Sequence, residues 1–569
     1  MPEVLKQSRA RKDEKQSGRK EPIPITLLSG FLESGKTTLL EHILKVEHGF
    51  KIAVIINDMS KLNIDAELIE NHNIIKKEEK LIQLQNGCIC CTLRGDLLEE
   101  LISLARNNQF DYIIIESTGI SEPMQVAETF STEFTETMLQ AEGSIENKDE
   151  KVLREILDLG GLNKITKLDT CVTVIDALNF LENFETTKFL ADRWGDHGSG
   201  ENERTITDLM VDQLEFSDII ILNKVSLVGK KKLKKVEKAI KALNPVAKII
   251  RADYCNIDVK EVVNTGLFDF EKATTSAGWL QSVNEMTVRE GFGDNSKGKL
   301  APKPETEEYG ITNFIYKSRR PFHPERLYKL LRDKFFVIEQ TGLEGTGEEN
   351  ENASESGKDG ASKQEEGEGE EDNEDGEEDE EEEEEEEDEF LEPTEKEIIR
   401  NKKKSVFGPL LRSKGFFWLA TRYILRGEWS SAGAMLTLKG GIPWFSVTGP
   451  MFIPPEAEQL IKKDMVGKHG DRRNEIVFIG LNINKRAITK KLDECLLNDK
   501  EFAEFERVIK TEANLFKIEK RLPEIFDDGF EDWILFDEEE DKNDEKSEEN
   551  ERVEKKLENK RIHHNHTHH

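Results

Sequence analysis

The 569-residue sequence has few cysteines, no long apolar run and no basic run as long as its longest acidic one. Its apolar runs, such as Tyr112–Ile115, are far shorter than the roughly 18 residues that a membrane-spanning helix needs, so no membrane span is expected. Binding to a nucleic-acid backbone requires clustered lysine and arginine. The longest run of one charge is instead the acidic stretch Glu377–Glu389, so nucleic acid is not expected as a partner.

The six cysteines do not have the distribution of a disulfide framework, because three of them occupy four positions at Cys88, Cys90 and Cys91. Adjacent reduced thiols are better suited to binding a metal. Residues 1–20 contain lysine and arginine without an apolar core, so no secretory signal is expected. These features predict a reducing compartment, which means the cytoplasm or the nucleus.

Charge is spread unevenly along the chain. The formal net charge is −35, and residues 344–392 alone hold 28 acidic residues against two lysines. Such a segment cannot bury enough apolar surface to fold, so we expect a solvated, disordered insert. The predicted organisation is a basic arm (1–22), a first globular domain (23–272), a linker (273–304), a C-terminal domain (305–343 and 393–500) split by the acidic insert (344–392), an extension (501–536) and an acidic, histidine-rich tail (537–569).

Short apolar runs alternate with helix-length amphipathic segments from Ile25 onward, which is typical of a parallel sheet covered by helices. The predicted strands are Ile25–Leu28, Ile52–Ile56, Tyr112–Ile115, Cys171–Ile175, Ile219–Leu222 and Ala247–Ile250. The sequence therefore predicts a doubly wound α/β domain. The second half loses this alternation and predicts a smaller α+β domain. Its predicted strands are Tyr309–Tyr316, Phe416–Thr421 and Glu475–Leu481, and its predicted helices are Glu325–Arg332 and Ala487–Leu497.

The segment Gly30–Thr37 matches the phosphate-binding motif G-x-x-x-x-G-K-[ST] between a predicted strand and a predicted helix. Its glycines allow backbone N–H groups to turn toward phosphates. Lys36 is expected to neutralise the β- and γ-phosphates, and Thr37 to bind Mg²⁺. The nucleotide-binding residues predicted here are Gly30, Glu33, Ser34, Gly35, Lys36, Thr37 and Thr38. An acid repels phosphate, so the Glu33 side chain is expected to point away from the ligand.

Two further segments complete the predicted nucleotide site. A buried strand ends at Glu116, which is therefore predicted to be a Walker-B-like acid. Gly119 follows three residues later and is predicted to sense the γ-phosphate. Both residues, together with Lys36, are expected to have catalytic roles. Asn223 and Lys224 follow another strand, where GTPases carry N-K-x-D for the guanine base. The last position is Ser226, which weakens the preference for GTP over ATP.

The Cys-x-Cys-Cys array predicts a thiolate metal site, since soft sulfur ligands select Zn²⁺ or Cu⁺. Buried apolar cysteines and a redox dithiol are the alternatives. A second metal-binding segment is predicted at the end of the sequence, with an expression tag as the alternative. Its residues are His563, His564, His566, His568 and His569.

The sequence resembles the CobW-type GTPases, a family of GTP-dependent metal chaperones, and especially their YciC-like branch. The matching segments are residues 30–40, 55–69, 86–101, 111–123, 211–224, 304–327, 412–422 and 470–480. The resemblance implies bound GTP and Mg²⁺, Zn²⁺ with Co²⁺ also permitted, and a client metalloprotein that receives the metal. Asp58 is implied either as a Mg²⁺ ligand or as a contact of the transferred metal.

The predicted thiolates lie on the segment that links the two switch-like elements, so nucleotide turnover is expected to change the affinity for metal. Two other functions remain open from the sequence. One is a P-loop ATPase with structural cysteines, and the other is a non-catalytic metal buffer. The sequence does not determine the oligomeric state.

Overall fold

The computed structural model describes residues 21–57, 80–84, 94–107, 109–130, 147–194, 204–269, 310–340, 393–449, 458–512 and 514–533. The predicted zinc ligands Cys88, Cys90 and Cys91, together with Asp58, the acidic insert and the histidine-rich tail, lie outside these residues. In the part that is described, no helix combines the length and the apolar character needed to cross a membrane.

The first half of the chain forms a parallel sheet in the order β3-β2-β4-β1-β5-β6-β7. Its strands are β1 (Ile23–Ser29), β2 (Ile52–Asn57), β3 (Lys80–Leu84), β4 (Tyr112–Glu116), β5 (Thr166–Asp176), β6 (Ile219–Asn223) and β7 (Lys248–Arg251). Six of the seven were predicted, with ends that differ by a few residues. The edge strand β3 was missed, and the doubly wound α/β fold is confirmed.

Helices cover both faces of this sheet, so its central strands are apolar on both sides and read as continuous runs. Every residue of β4 and β6 is buried. The helices are α1 (Lys36–Lys45), α2 (Arg94–Asn107), α3 (Pro123–Glu128), α4 (Asn147–Asp158), α5 (Phe180–Phe184), α6 (Leu190–Trp194), α7 (Ile206–Glu215) and α8 (Lys230–Leu243). The apolar residues of β1 divide between two core clusters, with Leu27 in one and Leu28 in the other.

A second sheet has the order β8-β13-β10-β11-β12-β9. Its pairs are antiparallel except β9 with β12. The strands are β8 (Ile311–Ser318), β9 (Phe336–Gln340), β10 (Leu410–Phe417), β11 (Leu425–Ala432), β12 (Met435–Pro443) and β13 (Asn474–Leu481). The helices are α9 (Pro324–Arg332), α10 (Glu395–Lys404), α11 (Phe445–Thr448), α12 (Glu458–Asp464), α13 (Lys485–Asp493), α14 (Asp499–Thr511) and α15 (Leu515–Arg521). The predicted α+β character of this part is confirmed.

The strand predicted at Phe416–Thr421 is displaced in the structure. Strand β10 ends at Phe417, and the apolar residues after it form a buried loop. The Phe322 N–H donates to the Trp418 carbonyl, and the Ala420 N–H donates to the Phe322 carbonyl. A short apolar run does not distinguish a strand from such a buried loop, because both hide the same side chains.

The boundary predicted between the C-terminal domain and the extension, at residues 500 and 501, falls inside helix α14. Its start is fixed by a capping box, in which the Asn498 side chain accepts from the Glu501 N–H and the Glu501 carboxylate accepts from the Asn498 N–H. Phe505 of this helix is buried in the same core cluster as Trp418 and Trp444. Residues after 500 therefore complete the core beside the second sheet.

Helix α7 contacts the second sheet through a buried cluster of charges. Arg412 of β10 is only 2% exposed, and its guanidinium lies 3.3 Å from Asp208 Oδ1, 3.5 Å from Glu215 Oε1 and 3.8 Å from Asp212 Oδ1. Burial raises the pKa of the Glu215 carboxyl to about 7, although the charge of Arg412 acts to lower it. One arginine thus holds three acids of α7 at the junction of the two sheets.

Candidate nucleotide site

The three predicted nucleotide elements lie at one edge of the first sheet. They follow β1, β4 and β6, which run parallel with β5 between β1 and β6. The carboxyl ends of parallel strands meet at the same edge, and ligands of open α/β sheets bind there. The register confirms this alignment, since Leu28 of β1 pairs with Glu116 of β4 and with Val172 of β5.

The loop between β1 and α1 requires glycine at both ends. Gly30 has φ +137°, and a Cβ atom there would lie 2.4 Å from the Val174 carbonyl oxygen. Gly35 has φ +112°, and a Cβ atom there would lie 2.5 Å from Asn223 Nδ2. Only a residue without a side chain fits these positions, and the chain then enters α1 directly at Lys36.

The side chains of this loop divide between buried and exposed. Lys36 is 8% exposed, and its ammonium group donates to the Phe31 carbonyl at 3.4 Å. Ser34 is buried, and its hydroxyl has no hydrogen-bond partner among the described residues. Glu33 is exposed, and its backbone is in the left-handed conformation with φ +61°. The loop thus offers a buried cation and an uncommitted hydroxyl, which suits phosphate oxygens.

The segment after β4 packs closely on this loop. Glu116 is 2% exposed, and a Cβ atom on Gly119 would lie 2.9 Å from the Leu32 backbone nitrogen. Gln213 of α7 is fully buried, and its amide donates to the carbonyls of Gly119 at 3.1 Å and Ser121 at 3.3 Å. Gln213 therefore fixes the backbone of the expected γ-phosphate sensor, a role that the sequence did not reveal.

Asn223 and Lys224 also contact the phosphate-binding loop. The Asn223 amide donates to the Ser34 carbonyl at 3.0 Å, and its carbonyl oxygen accepts from the Cys255 N–H at 3.0 Å. The Lys224 ammonium group donates to the Glu33 carbonyl at 2.9 Å and pairs with Asp176 at 2.9 Å. These bonds join the end of β6 to the loop after β1.

A cavity of about 260 Å³ adjoins the site, between residues 31–34 and the segment that begins with Ile175 and Asp176. Asp176 accepts from the Leu178 N–H and from the Asn179 amide as well as pairing with Lys224. Sequence reasoning missed both Asp176 and Cys255. Neither lies in a recognised motif, and each reaches the site only because β5 and β7 flank β6.

Within the described ranges, no group of three or more His, Cys, Asp or Glu side chains is arranged to hold a metal ion. The cysteines described there, Cys171, Cys255 and Cys495, are free and buried. Burial raises the pKa of the Cys255 thiol to about 12 and that of Cys495 to about 11. Thiols held protonated in this way are poor metal ligands.

Comparison with known families gives two matches along the chain. Residues 24–251 match the family described as CobW/HypB/UreG, nucleotide-binding domain. Residues 387–496 match the cobalamin synthesis protein CobW C-terminal domain.

A relative in Dictyostelium discoideum, "Zinc-regulated GTPase metalloprotein activator 1", is 37% identical over 89% of this chain and 86% of its own length. This chain belongs to the CobW family of P-loop GTPases. A second relative, the "Zinc chaperone YjiA" of Escherichia coli, is 29% identical over 45% of this chain and 65% of its own length. The solved structure of zinc-bound YjiA GTPase from E. coli is 17% identical, with a TM-score of 0.28, and covers 84% of this chain and 100% of that one.

Proposed function

We propose that this CobW-family GTPase is a zinc chaperone that binds Zn²⁺ at Cys88, Cys90 and Cys91 and transfers it to a client metalloprotein under the control of GTP. The observation that supports GTP binding is the direct contact between the three segments of the nucleotide site. Asn223 bonds to the phosphate-binding loop at Ser34, and Gly119 packs on the same loop at Leu32. A ligand bound by the loop is thereby sensed at both other elements.

The residues expected to meet the phosphates have proposed roles. Lys36 neutralises charge on the β- and γ-phosphates, and Thr37 holds the Mg²⁺ that accompanies GTP, with Gly30, Gly35, Ser34 and Thr38 lining the phosphates. Glu116 orients the attacking water. The Gly119 N–H meets the γ-phosphate and moves when that phosphate leaves. Bound Mg²⁺ supplies further charge neutralisation at the phosphates.

The proposal that the protein binds zinc is supported by the chemistry of the cysteines and by the names of the relatives. Three thiols within four residues favour a soft metal, and the relatives in D. discoideum and E. coli are named for zinc. Leu84, the last described residue before the cysteines, ends β3 in register with Asn57 of β2. Strand β3 is three positions from β1, which corresponds to about 14 Å at the usual spacing between strands. Strand β3 therefore ends at the edge of the sheet where the phosphate-binding loop lies, and Leu84 is four residues before Cys88 in the sequence.

Coupling between the two halves is proposed to run through the switch segments. GTP and Mg²⁺ order these segments and tighten the metal site, and hydrolysis loosens it. Linkage requires that zinc change the affinity for GTP by the same factor, which is typically about 5- to 150-fold.

The experiment combines metal analysis with nucleotide binding on the full-length protein. Bound zinc is measured with and without a non-hydrolysable GTP analogue, and the analogue's affinity is measured with and without Zn²⁺. Cys90→Ala should lose zinc and its effect on nucleotide affinity while still binding nucleotide. Lys36→Ala is the matched control, which should lose nucleotide and keep zinc.

Three results would contradict parts of this proposal. Equal nucleotide affinity with and without zinc removes the coupling. Equal competition by ATP and GTP removes the guanine specificity and favours an ATPase. Phosphate release that does not respond to zinc favours a metal buffer in which nucleotide only stabilises the fold.

A further inference from the structure

The motif that reads guanine in GTPases is incomplete in this chain. Guanine presents two donors on one edge, N1–H and the C2 amino group, and a carboxylate is the natural acceptor for both. The sequence places Asn223 and Lys224 as expected but has Ser226 where the aspartate belongs. A hydroxyl group cannot replace a charged, two-oxygen acceptor at equal strength.

The structure brings a carboxylate to this position from another strand. Strand β7 runs parallel to β6, with Arg251 opposite Leu222, so the residues that follow each strand are neighbours. The Val225 N–H donates to the Ala252 carbonyl at 3.3 Å. In the next step along the chain, the Ser226 N–H donates to Asp253 Oδ1 at 2.8 Å.

We propose that Asp253 supplies the guanine-reading carboxylate that Ser226 does not provide. An ionised carboxylate has about four lone-pair sites, so the Ser226 N–H leaves acceptors for the guanine edge. Asp253 is partly exposed, so its carboxylate is accessible to a ligand. This inference deepens the proposed function and rests on the proposed nucleotide site.

The loop that carries Asp253 is fixed to the rest of the site. The Cys255 N–H donates to Asn223 Oδ1 at 3.0 Å, and its thiol lies 3.3 Å from the Gly35 carbonyl oxygen. Tyr254 and Cys255 both have left-handed backbones, with φ of +52° and +51°, conformations that carry strain in residues other than glycine. Asn223 thus positions the phosphate-binding loop and the Asp253 loop together.

Tyr254 is 84% exposed next to Asp253. An exposed ring that follows the proposed carboxylate in the sequence is available for stacking on a base. Asp253 is the residue on which the test depends.

The test exchanges the acceptor for a donor without altering the shape of the side chain. Asp253→Asn keeps one oxygen for the Ser226 N–H and replaces the other with an amide. Xanthine has a carbonyl where guanine has the C2 amino group, so the asparagine variant should prefer xanthosine nucleotides. We expect GDP to bind about 10- to 100-fold more weakly than to the wild type, and XDP to bind more tightly than GDP.

Binding of GDP, XDP and ADP is measured by calorimetry in Mg²⁺ on the full-length protein. Asp258→Asn is the matched control, because Asp258 lies on the same loop and its side chain accepts from the Lys260 N–H, a bond that the asparagine oxygen can keep. This control should bind all three nucleotides like the wild type. Asp253→Ser should lose guanine preference, and adding Ser226→Asp to it should restore that preference.

Unchanged GDP preference in Asp253→Asn overturns the inference, as does a parallel loss of all three nucleotides with intact folding. Failure to recover guanine preference in the double variant also overturns it. These outcomes differ from a failure of the proposed function, in which the wild type itself binds ADP as well as GDP.

Discussion

Replacing Arg412 with methionine should destabilise the protein in a way that depends on pH. The change keeps an apolar stem but removes the positive charge that faces Asp208, Asp212 and Glu215 within 3.8 Å. Removing one partner of a buried ion pair costs about 3–5 kcal/mol, because the remaining charge is left desolvated. We expect a loss of that size in the free energy of unfolding at pH 7.

The sign of the pH dependence follows from the acids. Burial raises the pKa of Glu215 from 4.5 to about 7 and also raises that of Asp208, while Arg412 opposes both shifts. A carboxyl group with a raised pKa binds protons more readily in the folded chain. Its contribution to stability is therefore greatest below about pH 4.5 and is lost as the pH rises through 7. For Glu215 this loss is about 3 kcal/mol in the wild type.

In Arg412→Met the largest opposing charge is gone, while Arg204 near Asp208 and Lys414 near Glu215 remain. Both pKa values therefore rise further, and the loss of stability extends above pH 7. The destabilisation by this variant should therefore be small near pH 5 and largest near pH 8. Urea unfolding at pH 5, 6, 7 and 8, followed by circular dichroism, measures it. Arg400→Met is the control, because Arg400 pairs with Glu397 in a solvent-exposed position where such pairs contribute under about 1 kcal/mol. A cost below about 1 kcal/mol at pH 7, or one that does not vary between pH 5 and 8, would refute this reasoning.

The remaining predictions concern the segment after β4. Gln213→Leu leaves the buried carbonyls of Gly119 and Ser121 without their donor, so thermal unfolding should show that the free energy of unfolding falls by about 2–4 kcal/mol. The control is Gln125→Leu, which removes a half-buried hydrogen bond between side chains and should lower the free energy of unfolding by under about 1 kcal/mol. Gly119→Ala places a Cβ atom 2.9 Å from the Leu32 backbone nitrogen, so the loop must shift. Phosphate release should fall by about 10- to 100-fold while GDP binding persists, and wild-type turnover in this variant would contradict the close packing.

The fold of the first half was predictable because its signal is local. A parallel sheet buried on both faces needs continuous apolar runs, and six of seven strands were recognised from them. The edge strand β3, with the sequence KLIQL, has too few apolar residues to stand out. The phosphate-binding loop was equally clear, since its glycines are required by backbone geometry that the structure shows at Gly30 and Gly35.

The second half was less predictable because its signals are mixed. Loops there are buried as deeply as strands, as Trp418 and Leu419 show. The residues after 500 pack into the core beside the second sheet, whereas the sequence analysis assigned residues 501–536 to an extension of the C-terminal domain. Aromatic side chains spaced along a helix do not reveal which distant residues they will cover.

The sequence alone determined the chemistry that is available: a phosphate-binding loop, an acid at the end of a strand, an Asn-Lys pair and a cluster of thiols. Each of these motifs is formed by residues that are close together in the sequence, because each depends on local backbone geometry or on the spacing of ligands. Tertiary structure alone decided which distant residues serve them. Gln213 reaches Gly119, Arg412 meets three acids of α7, and Asp253 lies against Ser226. These pairings depend on strand order and register, which place residues far apart in the chain within hydrogen-bonding distance.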